Sequence, residues 1–241
     1  MYKQKIGLIG GFGAYATLDF YRRILEVFAS DCERDYPHII MDNNFTMPSR
    51  TKALLCGEGY DEIVMEIVKS MELMLYNNVD KIILVCGTAH YFLKDVYKMV
   101  PEVREKVVDI IDAIGEELSC CQKREVLIIA AEGTLLQELY PQKLCKYNIN
   151  CISPSKEYYK EIRSYIEAVK QNKYNEQICR DFIYFLKKFP TKNIILGCTE
   201  FPVLLKYIKA NCSDYERKVL EEYAFYDPLE VVLNKLKTTL I

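Results

Sequence analysis

Short apolar runs recur through this sequence, and between them apolar residues return every three or four positions. Lys5–Ile9 reads as a buried strand entering Gly10-Gly11-Phe12-Gly13, with a helix predicted from about Ala14 to Ala29. His38–Met41 predicts a second strand, ending in Asp42-Asn43-Asn44. Pro48 makes Thr46–Arg50 a predicted loop. After Gly57 to Gly59, Ile63, Ile67, Met71 and Met74 share one face of a helix predicted over Tyr60–Tyr76, which Asn77-Asn78 ends. Lys81–Val85 predicts a strand. Val107–Ile111 predicts another, with Asp112 capping a helix toward Leu118.

The second half repeats this grammar. Glu125–Ala130 predicts a strand running into Ala131-Glu132-Gly133-Thr134, and Leu8–Gly13 aligns with Ile128–Gly133, glycine to glycine. Helices are predicted over about Leu135–Lys143, Lys156–Gln171 and Asn175–Lys187, with strands at Asn150–Ile152 and Ile194–Leu196. Strands alternating with helices predict an α/β fold of two pseudo-symmetric lobes, each a mainly parallel sheet flanked by helices. Ligands of such sheets collect beyond the carboxyl ends of the strands, which puts the site in the cleft between the lobes. The Phe225–Pro228 segment and the helix to Leu240 are expected to return to the first lobe. That gives residues 1–100 plus 211–241 for the first lobe and 101–210 for the second.

Length and composition fit a globular protein with a proper core: 241 residues, 50% apolar and 27% charged. A net charge of -2 argues against nucleic acid or an anionic membrane as partner. The apolar runs are too short to span a bilayer, and Met1–Lys5 leads straight into a strand with no export signal. The ten cysteines are scattered without a CxxC pair, and there are two histidines, His38 and His90. This predicts mostly buried, inert thiols in a reducing cytoplasm and no metal site.

Two of the cysteines stand apart. Ile82–Val85 ends in Cys86-Gly87-Thr88-Ala89-His90, and Ile194–Gly197 ends in Cys198-Thr199-Glu200. They lie about half the chain apart, one per predicted half, each where a buried strand stops. Two facing thiols can take a proton from one side of a carbon and return one from the other. Tuned thiols serve as acid or base near neutrality, and a following helix N-terminus favours the thiolate. Contact on both sides of a carbon puts the sulfurs roughly 7 Å apart, too far for a disulfide. Thr88, Thr199 and the amides after each cysteine could meet an enolate-like carboxylate, and Arg50 could fork onto a second one. His90 reads as a capping or packing histidine.

Gly11-Phe12-Gly13-Ala14-Tyr15-Ala16 followed by Asp42 also fits a loose dinucleotide-binding pattern, so a nicotinamide dehydrogenase is a rival. A non-enzymatic acid-binding protein is another.

Gly7-Leu8-Ile9-Gly10-Gly11, Cys86-Gly87-Thr88-Ala89-His90 and Leu196-Gly197-Cys198-Thr199-Glu200 resemble, in order and across the chain, the PLP-independent aspartate/glutamate racemases of the Asp/Glu/hydantoin racemase superfamily. The resemblance implies two pseudo-symmetric lobes, commonly a homodimer, no cofactor, and a small dicarboxylic amino acid as substrate. It implies catalytic roles for Cys86 and Cys198. It implies substrate contacts from Arg50, Gly87, Thr88, Thr134, Lys170, Thr199 and Glu200. Related isomerases or decarboxylases share the pattern. The family's Asn after the first cysteine is Gly87 here, and its Gly-Thr after the second-lobe strand is Ala130-Ala131.

Overall fold

A computed structural model describes residues 4–240. The first lobe runs β1 (Lys5–Gly10), α1 (Ala14–Val27), β2 (His38–Asn43), α2 (Arg50–Cys56), α3 (Tyr60–Tyr76), β3 (Lys81–Leu84) and α4 (Leu93–Met99). After α5 (Ile110–Cys120) come β4 (Glu125–Ile129), α6 (Glu132–Leu136), α7 (Leu139–Leu144), β5 (Asn150–Ile152), α8 (Tyr159–Lys170), α9 (Glu176–Leu186) and β6 (Asn193–Leu196). The chain ends in α10 (Glu200–Asn211), α11 (Asp214–Glu221), β7 (Ala224–Tyr226) and α12 (Pro228–Leu240). The expected lead from Met1 into β1 touches residues 1–3, which lie outside the described range.

Two parallel sheets result, ordered β2-β1-β3 and β5-β4-β6-β7. The glycine-turn strands β1 and β4 sit beside the cysteine strands β3 and β6, so the internal repeat is real in three dimensions. Side chains alternate across the first sheet. Ile9, Ile82 and Leu84 join α2, α3 and α4 in one core. Ile6, Leu8, Ile83 and Val85 face the other way, into a core continuous with the second sheet and α5, α8, α9 and α10. Apolar burial at roughly 25 cal/mol per Å² therefore binds the two halves to each other as well as each to itself.

Five expectations are corrected. Phe225 and Tyr226 belong to β7, which pairs with β6 in the second sheet instead of returning to the first. The helix after it, α12, packs on both α5 and α1, its Val232 and Leu233 in the shared core. Val107–Ile111 is not a strand: only Val107 bridges to Ile82, at the place β7 occupies beside β6. The cap of α5 is Asp109, not Asp112, and its carboxylate accepts from the Ile111 and Asp112 amides. The helix expected over Leu135–Lys143 is two, α6 and α7, broken where Glu138 turns left-handed with φ 48°. Lastly, Arg50 is not in a loop. It is the first residue of α2, whose N-cap Ser49 accepts from the Lys52 amide and whose left-handed Gly57 closes the C-terminus.

Candidate active site

The two cysteine strands end side by side. Cys86 follows β3 and Cys198 follows β6, and both line one small cavity with Phe12, Ser49, Arg50, Thr51, Thr88, Ala131, Ile166, Lys170, Thr199 and Glu200. Six of these residues precede α5 and six follow it, so the cavity lies between the two halves of the repeat. Its free volume is about 40 Å³, room for a few waters at most. A second pocket of about 280 Å³ shares Ser49, Thr51, Ala131, Ile166 and Lys170 with it and forms a vestibule, flanked by the Arg163–Glu132 ion pair.

Each thiol has its own surroundings. Cys86 is 9% exposed, and burial raises its pKa. The Arg50 charge and the amides of Ala89 and Thr88 work in the opposite direction. Cys198 donates to Glu200 Oε2 at 2.9 Å. Burial first, then the Glu200 carboxylate, push its pKa well above the usual thiol value; the Lys170 charge opposes them. All ten cysteines are free thiols, but only Cys86, Cys179 and Cys212 are buried, against the expectation that most would be, because Cys32, Cys56, Cys120, Cys121 and Cys145 lie on exposed turns and helix ends.

Arg50 is held by two carbonyls: Nη2 donates to Phe12 O at 2.6 Å and Nη1 to Pro48 O at 3.0 Å. Its guanidinium carbon lies 5.1 Å from the Phe12 ring centroid. It has no ion-pair partner among the described residues, so its charge is available to a ligand in the cavity. Lys170, at the end of α8, pairs with Glu167 at 3.2 Å and feels the charge of Glu200.

Among the other expected contacts, Thr88 and Thr199 line the cavity. Thr134 stands behind Thr88, their hydroxyls 2.8 Å apart, and is 1% exposed. Glu200, 3% exposed, is turned toward Cys198 and Thr199. Gly87 offers no side chain, and there is no space for one: an added Cβ would lie 2.5 Å from the Gly197 carbonyl oxygen. The two cysteine turns touch backbone to backbone at this point. His90 Nδ1 donates to Cys86 O at 2.9 Å, and Nε2 accepts from the Ile110 amide at 3.4 Å. It is a buried, neutral brace whose pKa is lowered by burial.

The glycines of the dinucleotide-like turn are accounted for internally. A Cβ on Gly11 (φ 83°) would strike Asn44 O at 2.0 Å, and one on Gly13 would lie 2.5 Å from Glu200 Oε1. Close approach within the chain, not a pyrophosphate, explains them. The expected site residues did not include Phe12, Ser49, Thr51, Ala131 or Ile166 of this cavity. The Ser49 cap, directly after Pro48, was the available signal for a helix there.

Fold and site together define an α/β protein whose two sheets present a pair of thiols to one small cavity. A family model described as Asp/Glu/Hydantoin racemase matches residues 9–233, and the chain belongs to that family. The glutamate racemase of Hydrogenobaculum sp. (strain Y04AAS1) is 24% identical over 156 residues, 62% of this chain and 57% of that protein. Among solved structures, Picrophilus torridus aspartate racemase superposes with a TM-score of 0.78 at 22% identity, over 98% of this chain and 94% of that one. Francisella tularensis glutamate racemase, solved with D-glutamate, gives 0.70 at 17% identity, over 98% and 81%. At these identities the structural likeness speaks for the fold. No helix among the described residues is long and apolar enough to cross a membrane.

Proposed function

We propose that this protein is a cofactor-independent racemase of aspartate, glutamate or both, working through Cys86 and Cys198. The observation that carries this is the single cavity holding both thiols together with the unpaired guanidinium of Arg50. A thiolate on one side takes the Cα proton and becomes S–H. The electron pair left behind spreads into the α-carboxylate, and the opposite thiol gives its proton to the other face of Cα. The charges of the two cysteines are then exchanged, ready for the reverse reaction. Thr88, Thr199 and the amides after the cysteines are placed for the developing enolate, and Arg50 for the side-chain carboxylate.

A cavity of about 40 Å³ is too small for a dicarboxylic amino acid. Binding therefore parts α2 from α6 and α8, along the vestibule. A homodimer, as in the resembled family, and a reducing compartment, suited to ten free thiols, complete the proposal. The test is incubation with each enantiomer of aspartate and glutamate in deuterated water. Inversion with deuterium at Cα is expected for at least one pair; no inversion and no label with any of the four would refute the proposal.

A further inference from the structure

Tyr140 lies under the crossing of the two catalytic turns. Its ring is 1% exposed, and its hydroxyl finds no hydrogen-bond partner among the described residues. That oxygen is 3.1 Å from where a Cβ on Gly87 would be, and the same Cβ would meet the Gly197 carbonyl. Gly87 adjoins Cys86, and Gly197 adjoins Cys198. A buried phenol without a partner costs stability, and a state in which the donor is used recovers that cost.

Such a state exists in the reaction. The resting Cys198 donates its proton to Glu200. Once ionised, Cys198 has a carboxylate 2.9 Å away and needs donors to offset it. Lys170 supplies one charge. We propose that the Tyr140 hydroxyl is a positioning residue that donates to the Cys198 thiolate, in the space left bare by Gly87. This deepens the racemase reading and rests on it.

The groups whose charges reach Tyr140 are Cys198, Asp227, Asp109 and Cys86, and together with burial they hold its proton on. Tyr140 therefore acts as a neutral donor and never as a base. The groups whose charges reach Cys198 are Glu200, Cys86 and Lys170.

The test is Tyr140→Phe, which keeps the ring and removes the donor. Iodoacetamide labelling at fixed pH, followed by mass spectrometry of individual peptides, reads the thiolate at Cys198, with Cys86 in the same cavity as the reference for access. The Cys198-to-Cys86 labelling ratio should fall roughly tenfold, since a hydrogen bond to a charged group is lost. Racemisation kcat should fall by at least as much, with KM little changed and the melting temperature equal or higher. An unchanged labelling ratio and kcat would overturn the proposal and leave Tyr140 a packing residue. If the variant fails to fold, 3-fluorotyrosine placed at 140 gives the decision. A more acidic phenol is a stronger donor, so Cys198 labelling must rise; no rise overturns the proposal. Wild-type protein that labels as expected but racemises none of the four amino acids would refute the racemase reading and leave the proposed Tyr140–Cys198 hydrogen bond standing.

Discussion

The turn after β3 and the turn after β6 occupy equivalent places in two similar sheets, yet they hold their thiols differently. Cys86 is influenced by a cation, Arg50, and by the amides of Thr88 and Ala89; His90 braces its carbonyl. Cys198 hydrogen-bonds to a carboxylate, Glu200, with Lys170 as the opposing charge. Burial raises both pKa values, but Arg50 restrains the first while Glu200 adds to the second. A duplicated backbone therefore does not give duplicated chemistry. Cys86 is the readier thiolate and Cys198 the readier acid, so the two directions of racemisation should differ in pH dependence.

The largest effect tests whether both turns are needed at all. Cys86→Ser and Cys198→Ser should each lower racemisation by about 10³-fold, because a serine hydroxyl is a far weaker acid or base at neutral pH. Single-enantiomer deuterium exchange can survive in one of them, showing which thiol addresses which face. Full racemisation by either variant would remove the two-thiol assignment.

Next, Arg50→Ala withdraws the cation that favours the Cys86 thiolate and the group offered to a substrate carboxylate. We expect kcat/KM to fall about 30-fold, a charged hydrogen bond's worth, with the acid limb of the direction using Cys86 as base moved to higher pH. Loss in both directions without that movement would show that Arg50 serves binding alone.

Glu200→Gln acts on the other turn, with a smaller effect and the opposite sign. Removing the carboxylate lowers the Cys198 pKa, so labelling of Cys198 relative to Cys86 should rise several-fold at neutral pH. The direction that uses Cys198 as the acid should then slow at high pH. A drop in labelling would mean that Glu200 holds Cys198 in place more than it keeps the thiol protonated.

The smallest effect concerns the brace under Cys86. His90 is kept neutral in the fold, so below its unfolded value of about 6.5 only the unfolded chain takes up that proton, and stability falls with pH. Melting temperatures measured from pH 7 to pH 5 should fall less in His90→Gln, by about 2–4 °C for each kcal/mol. Equal slopes in the two proteins would assign the acid sensitivity elsewhere.

Much of this was legible in the sequence where a local pattern carried it. Helix α3 has the predicted bounds because its buried residues return at helical spacing and Asn78 turns left-handed just after it. The cysteine turns were visible because a buried strand ending in Cys is a local signature. What escaped depended on neighbours. Val107–Ile111 has the composition of a strand, but the first sheet leaves it one bridge, and Asp109 captures Ile110 and Ile111 for α5. The Thr88–Thr134 pairing joins residues from opposite halves, so Thr134 looked like a direct contact and is a support. Gly87 looked like a lost amide; the carbonyl of Gly197 shows that its side chain is excluded by contact. Nothing local marks Tyr140, because the lack of a partner is a property of the folded surroundings.

That bare meeting of residue 87 with the carbonyl of residue 197 works as a spacer gauge. The two sheets differ in width, as the extra strand β7 shows, yet their cysteine turns still meet backbone to backbone at this point. A single methyl group at position 87 would act as a shim, widening that gauge directly at the reaction centre.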